Sequence, residues 1–150
     1  MSTERKALFV GSSSEGLPIA EAIPQILERD LEVITWPNIF VPSQYTLESL
    51  GQRMKDFDAA AFVLSPDDWV QSRGKRRLAP RDNVLLEIGL SIGCLGRQRT
   101  FLIIDRTVET KLPSDLHGVN VATYQPHRVG SWVTALLPAC LGIRDAIQKL

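Results

Sequence analysis

Ala-Phe-Val-Leu at residues 61–64 and Phe-Leu-Ile-Ile at residues 101–104 decide the fold class. Neither run alternates with polar residues, which is the pattern of strands that are covered on both faces of a parallel sheet. Similar apolar runs recur along the chain with helical patterns between them, as expected for βαβ units. The predicted strands span residues 6–10, 31–36, 59–64, 100–104 and 119–124.

Helical patterns connect and follow these strands. The second predicted helix turns Leu47, Leu50 and Met54 inward, and the third runs from near Asp82, a favourable N-cap, to about Gly96. With right-handed crossovers, we expect an α/β fold: an open five-stranded parallel sheet in flavodoxin-like order with helices on both faces. No repeat or linker interrupts the pattern, so we expect a single domain over residues 1–150, which stands alone or is one module of a longer protein.

The composition and net charge of the chain argue against nucleic acids and anionic membranes as partners. The 150 residues are 44% apolar, enough for one hydrophobic core, and 17 basic residues balance 17 acidic ones. The overall field therefore attracts neither nucleic acid nor an anionic membrane. The apolar start at residues 7–10 is too short for a signal peptide or a spanning helix, so we expect a cytoplasmic protein. Neither His117 nor His127 has other ligands at suitable spacing, so no metal site is expected.

Ligands of flavodoxin-like sheets bind outside the carboxyl ends of the strands, which points to the loops at residues 11–16, 37–45 and 65–81. The first loop reads Gly-Ser-Ser-Ser-Glu-Gly and leads into a predicted helix. The hydroxyls of Ser12 and Ser13 and free backbone N–H groups can receive a phosphate or a ribose there. The same residues equally suit a helix cap and a tight turn.

Residues 81–90, Arg-Asp-Asn-Val-Leu-Leu-Glu-Ile-Gly-Leu, are the most informative segment. Glu87 is the only charged residue in the apolar part of this predicted helix, and Asn83, Glu87 and Ser91 form one polar stripe at helical spacing. A buried carboxylate without a partner is very costly. The stripe therefore faces a ligand, a protein partner or solvent.

Two further patterns each allow two interpretations. Trp36 precedes the second loop and Phe40 lies within it, where aromatic rings can stack on nicotinamide or adenine, or simply pack in the core. Arg-Gly-Lys-Arg-Arg at residues 73–77 is a basic patch that can attract a pyrophosphate or an acidic protein surface. Because Gly74 and Pro80 are typical of loops, we favour a mobile, solvated loop for this run.

The sequence resembles the TIR-like nucleotide-binding proteins of bacteria. These are relatives of the Toll/interleukin receptor domain and act as effectors in cyclic-nucleotide-triggered antiphage systems. The resembling segments span nearly the whole chain and are specific as a set: residues 9–16 (Phe-Val-Gly-Ser-Ser-Ser-Glu-Gly), 62–68 (Phe-Val-Leu-Ser-Pro-Asp-Asp), 81–90 and 112–116 (Leu-Pro-Ser-Asp-Leu).

In that family the glutamate of the third helix is the catalytic residue of an NAD hydrolase, and Glu87 occupies this position. The resemblance implies cleavage of NAD+, as substrate and with no further cofactor, into nicotinamide and an ADP-ribose product. It also implies six substrate-binding residues: Asp82 and Asn83 beside the glutamate or the ribose, Ser12 and Ser13 at phosphate or ribose oxygens, and Trp36 and Phe40 at the nicotinamide.

The resemblance also implies how such a protein is controlled. Family members are usually activated by self-association, with the loop after the second strand, here residues 37–45, completing a neighbour's site. In that family the TIR module is fused to a cyclic-nucleotide sensor domain. The resemblance therefore implies such a domain as a fused or associated partner of this chain.

Other functions stay open for this fold. A nucleoside deoxyribosyltransferase-like enzyme has the same sheet topology and a helix glutamate, and a non-catalytic TIR adaptor only oligomerises and binds nucleotide. A phosphorelay receiver is disfavoured because Ser12 and Ser13 stand where it needs acidic residues. A flavodoxin is disfavoured because the first loop lacks a threonine-rich phosphate-binding pattern.

Overall fold

Seven strands lie in the part of the chain that the computed structural model describes, residues 4–35, 47–65, 68–80 and 82–150. In chain order they are β1 (Ala7–Ser12), β2 (Glu32–Thr35), β3 (Ala59–Leu64), β4 (Asp68–Ser72), β5 (Lys75–Ala79), β6 (Thr100–Asp105) and β7 (Asn120–Tyr124). Five of them form one parallel sheet in the order β2-β1-β3-β6-β7, and β4 pairs with β5 in a separate sheet. This is the flavodoxin-like order, so the predicted fold class is confirmed.

Helices cover both faces of the five-stranded sheet. They are α1 (Leu17–Leu27), α2 (Leu47–Met54), α3 (Asp82–Leu95) and α4 (Trp132–Gln148). α1 packs with α4, and α2 packs with α3, on opposite faces. The predicted end of the third helix is confirmed, because Gly96 follows α3 with a φ of 93°, a left-handed conformation that favours glycine.

The central strand β3 separates two hydrophobic cores. All six of its residues are buried, and successive side chains point to opposite faces. Ala61 and Val63 belong to the core beneath α1 and α4, whereas Phe62 and Leu64 belong to the core beneath α2 and α3. The apolar run at residues 61–64 predicted a strand covered on both faces, and β3 is covered on both faces.

Two local predictions need correction. The first strand continues past Val10, because Gly11 and Ser12 pair with β3; backbone pairing does not require an apolar side chain. Leu47 was expected to face inward with Leu50 and Met54, but it is 42% exposed while the other two are fully buried. Leu47 is the first residue of α2, and the buried residues of this helix, Leu50 and Met54, come later in it.

The segment expected to be a mobile loop forms an antiparallel hairpin instead. Ser72 pairs with Lys75, and the ladder continues to Asp68 and Ala79. The two turn residues, Arg73 and Gly74, have φ values of 52° and 76°. Positive φ at both central positions is the requirement of a two-residue type I′ turn, which matches the twist of the strands it joins. The interpretation of residues 65–81 as a loop is therefore wrong for most of that segment.

Candidate active site

The carboxyl ends of β1 and β3 lie side by side, since Ser12 pairs with Val63 in parallel register. The chain leaves β1 through residues 13–16 and leaves β3 at Ser65. A Cβ added to Gly16 would lie 2.8 Å from Ser65 Oγ and 3.3 Å from Ser12 Cβ. The absence of a side chain at Gly16 thus allows the two segments to approach closely. The fold brings the first and third of the predicted ligand-binding segments together here.

The two predicted serines differ in what their hydroxyls contact. Ser13 Oγ accepts a hydrogen bond from the Gly16 N–H at 3.3 Å, so Ser13 stabilises the turn into α1. Ser12 Oγ is buried and has no hydrogen-bond partner among the described residues. Buried hydroxyls are nearly always satisfied in proteins. Ser12 is therefore the serine for which a ligand would supply a needed partner.

The N-terminus of α1 is less available to a ligand than its sequence predicts. The amides of Gly16, Leu17 and Ile19 donate to carbonyl oxygens of preceding residues at 3.1–3.3 Å. Pro18 has no N–H to offer. The expectation of free backbone N–H groups is wrong for these three amides, because the turn and the first helical bonds already occupy them. An anionic ligand would depend on other groups.

Glu87 lies in the second turn of α3 and is only 6% exposed. Its Oε2 atom is buried and has no hydrogen-bond partner within the described ranges. Burial raises the pKa of Glu87 from its ordinary value of 4.5 to about 7, because the charged form loses its hydration. At neutral pH this side chain is therefore divided between the carboxylic acid and the carboxylate.

The direction of the polar stripe on α3 follows from its apolar neighbours. Val84 and Ile88 flank Glu87 and are buried in the core beneath α2 and α3. Asn83, at the start of the stripe, is exposed, whereas Ser91, at its end, is fully buried. The stripe runs from the surface into the protein, so the solvent-facing interpretation is wrong for Glu87 and Ser91.

The other predicted site residues are placed only in part. Asp82 is the first residue of α3, but its side chain lies outside the described part of the structure. Trp36, Phe40 and residues 37–45 also lie outside the described ranges. Their assignments stay predictions from the family resemblance.

The described residues contain neither a cluster that could hold a metal ion nor a helix that could span a membrane. No three His, Cys, Asp or Glu side chains are grouped closely enough there to hold a metal ion. Both His117 and His127 are exposed. None of the described helices combines the length and the apolar content needed to cross a bilayer.

One cavity near this edge of the sheet was not identified from the sequence. It has a volume of about 470 Å³ and opens between the hairpin and the segment after β6. Its lining residues are Arg73, Lys75, Arg77, Lys111, Leu112, Pro113 and Ser114. Lys75 and Arg77 are two residues apart on β5, a strand pattern that would have revealed their common face.

A flavodoxin-like parallel sheet with a buried glutamate on α3, the helix that follows the hairpin, defines an open α/β domain of the doubly wound class. Residues 7–126 match the family model described as "CAP12/Pycsar effector protein, TIR domain". The chain belongs to this family, and the resemblance inferred from its sequence is confirmed.

Two relatives illustrate the extent of the similarity. The chain is 42% identical over 146 residues to the Pycsar effector protein PaPycTIR of Pseudomonas aeruginosa, covering 95% of this chain and 47% of the relative. It is 37% identical over 120 residues to CD-NTase-associated protein 12 of Sphingobacterium faecium, covering 80% of this chain and 36% of the relative. The chain therefore spans less than half the length of either relative.

Solved structures agree on the architecture. The flavodiiron core of Flv1 from Synechocystis aligns with a TM-score of 0.54 at 12% identity, covering 99% of this chain and 36% of that one. The diflavin flavoprotein A3 from Nostoc aligns with a TM-score of 0.51 at 11% identity, covering 98% of this chain and 96% of that one. At such low identity these similarities show the fold alone.

Proposed function

We propose that this chain is an NAD+ hydrolase and that Glu87 is its catalytic residue. The observation that carries the proposal is a glutamate that is 6% exposed and whose Oε2 atom has no partner among the described residues. Such a group is unfavourable unless a ligand compensates it. NAD+ offers that compensation, because its nicotinamide ring is cationic and its ribose gains positive charge during glycosidic cleavage.

The reaction places limited demands on the protein. The bond between ribose C1′ and the nicotinamide nitrogen breaks, and its electron pair stays on nicotinamide, which leaves as a neutral ring without a strong general acid. The ribose passes through an oxocarbenium-like state, water adds its oxygen to C1′, and one proton is released. The Glu87 carboxylate stabilises the developing charge, an effect worth roughly 3 kcal/mol when one such contact is removed.

Besides Glu87, the proposed substrate contacts come from the segment after β1, from the start of α3 and from the segment after β2. The buried Ser12 hydroxyl supplies a hydrogen bond to a ribose or phosphate oxygen. The remaining proposed contacts, carried over from the resemblance, are Ser13 at the same oxygens, Asp82 and Asn83 beside the glutamate or the ribose, and Trp36 and Phe40 at the nicotinamide.

We further propose that the activity serves antiphage defence in the cytoplasm, with activation by self-association under a cyclic-nucleotide sensor. Support comes from the effector names of the family model and of the relative PaPycTIR. β7 adds a physical reason, because it lies at an edge of the sheet and its Val121 is 51% exposed. Exposed sheet edges readily pair with other chains.

The decisive experiment follows nicotinamide release from NAD+ by the chain forced into oligomers. We compare the wild type with Glu87→Gln and with Glu48→Gln, the same substitution on an exposed helical residue. Glu87→Gln should lower kcat by about 100-fold, since roughly 3 kcal/mol of transition-state stabilisation is lost. Glu48→Gln should match the wild type, and circular dichroism should show all three folded.

The opposite results identify the competing functions. An assembled wild type that releases no nicotinamide but exchanges bases on a deoxynucleoside is a deoxyribosyltransferase-like enzyme. One that binds nucleotide and performs neither reaction is an adaptor. Nicotinamide release that persists in Glu87→Gln removes Glu87 from the catalytic role.

A further inference from the structure

We propose that the cavity beside the hairpin binds the diphosphate group of a nucleotide-sized ligand. We call it the basic cavity and define it by its lining residues, Arg73, Lys75, Arg77, Lys111, Leu112, Pro113 and Ser114. Four of the seven side chains are cationic, and no carboxylate lines it among the described residues. The proposal goes beyond the NAD+ hydrolase function and does not require Glu87 to be catalytic.

The hairpin geometry gathers three of the cations on one side. Lys75 and Arg77 are two residues apart on β5, so their side chains point to the same face of the strand. Arg76 lies between them and points to the other face. Arg73 lies in the turn before β5, where its φ of 52° allows the chain to reverse, and it lines the same cavity.

The fourth cation, Lys111, lies on the wall of the cavity opposite the hairpin, so cationic side chains line both sides of it. Lys111 lies in the segment after β6, and this segment also provides Leu112, Pro113 and Ser114. Arg77 contacts Glu109 with a nitrogen–oxygen distance of 3.9 Å, but the Glu109 side chain is 81% exposed. Such an exposed ion pair is weak, so it leaves Arg77 available to a ligand.

The balance of charge favours an anionic occupant. The whole chain carries 17 basic and 17 acidic residues, yet four cations share the wall of this one cavity. Their mutual repulsion is relieved when an anion enters, and guanidinium groups bind phosphate oxygens in a bidentate manner. The amides of Gly16, Leu17 and Ile19 at the start of α1 already donate to backbone carbonyls, so they do not compete for such an anion.

The size of the cavity favours a small molecule over an isolated ion or a polymer. Its volume of about 470 Å³ lies within the range of small-molecule sites, roughly 300–1,000 Å³. Leu112 and Pro113 offer an apolar surface for the sugar or base that carries the phosphates, and Ser114 offers a hydroxyl. The zero net charge of the chain gives no overall electrostatic attraction for a nucleic acid.

The test measures inorganic pyrophosphate binding to the 150-residue chain by calorimetry. The variants are the double substitution Lys75→Ala with Arg77→Ala on the hairpin, and Lys111→Ala on the opposite wall. Arg76→Ala is the matched control, because it removes the same charge from the other face of the same strand. We expect at least tenfold weaker binding for the double variant, at least threefold for Lys111→Ala, and less than twofold for Arg76→Ala.

The KM and kcat for NAD+, measured beside pyrophosphate binding, show which molecule carries the diphosphate. If the double variant raises the KM for NAD+ at least tenfold with kcat unchanged, the diphosphate is that of the substrate. If pyrophosphate binding is lost but KM stays constant, the cavity takes a separate phosphorylated ligand. The proposal is overturned if the wild type does not bind pyrophosphate, or if the folded double variant binds it as tightly as Arg76→Ala does.

Discussion

Ser91 Oγ lies 2.8 Å from Thr100 Oγ1, and this buried hydrogen bond joins α3 to the first residue of β6. Thr100 Oγ1 also donates to the Gly96 carbonyl oxygen at 3.0 Å. A threonine hydroxyl has a single proton, so Ser91 is the donor in the pair. Since Ser91 lies one helical turn beyond Glu87, the bond fixes how far α3 slides along the sheet and therefore where Glu87 lies.

Removing this bond should destabilise the protein measurably. Ser91→Ala leaves Thr100 Oγ1 without its donor in a fully buried position, which should lower the free energy of unfolding by about 1–2 kcal/mol. Urea unfolding measures the change. Thr123→Val, on an exposed residue of β7, is the control and should change stability by less than about 0.5 kcal/mol. Equal stability of both variants would contradict the role given to Ser91.

The stability of the fold should fall as pH rises, and Glu87 should cause the fall. Its folded pKa of about 7 lies above the ordinary 4.5, so the folded state retains a proton that the unfolded state has released. The stabilisation is complete below pH 4.5 and is lost by about pH 7, a total of roughly 3 kcal/mol. Glu87→Gln should flatten this part of the curve and make the protein more stable than wild type at pH 8. A wild-type curve that rises over this interval would contradict the burial of an unpaired acid.

The rate of nicotinamide release should have the opposite pH dependence. The carboxylate is the form that stabilises positive charge, so kcat/KM of the assembled chain should rise with pH and level off near pH 7. In the complex, the cationic nicotinamide ring favours the carboxylate, so the midpoint of kcat should lie lower than that of kcat/KM. A kcat/KM that is constant from pH 5 to 8 would show that Glu87 does not act as the carboxylate.

Two glycines should respond oppositely to the same substitution. A Cβ on Gly11 would lie 2.8 Å from Cδ1 of Phe62, a fully buried ring, so Gly11→Ala should cost about 1–3 kcal/mol of stability. Gly89 is exposed on α3 with nothing within 4 Å of an added Cβ, so Gly89→Ala should stabilise by about 0.5–1 kcal/mol. Thermal unfolding of the two variants measures both effects, and a tolerated Gly11→Ala would show that Phe62 can move.

Periodicity was sufficient to predict the central sheet but not the hairpin. The buried strands are continuous apolar runs such as β3, whose sequence allows few alternatives. In contrast, β5 reads Lys-Arg-Arg-Leu-Ala, and its turn is Arg-Gly where Asn-Gly is the common signal. Charge and a glycine therefore resembled a loop, although alternate residues of β5 share one face.

The sequence was sufficient to predict which residues form the candidate site, but not whether their side chains are buried or exposed. The family segment at residues 81–90 marked Glu87, and helical spacing placed it on one stripe with Ser91. Whether that stripe faced solvent depended on the packing of Val84 and Ile88 against the sheet, which is a tertiary property. The availability of the α1 amides likewise depended on the conformation of residues 13–16, which the side chains alone do not determine.

The hairpin of β4 and β5 forms its ladder in a sheet of its own, separate from the five-stranded sheet. Two-stranded hairpins are marginally stable by themselves, so this one can open while the central sheet stays intact. Its amide hydrogens should then exchange with deuterium well before those of β3. Because α3 begins three residues after β5 ends, a hairpin that opens readily adjoins the helix that carries Glu87.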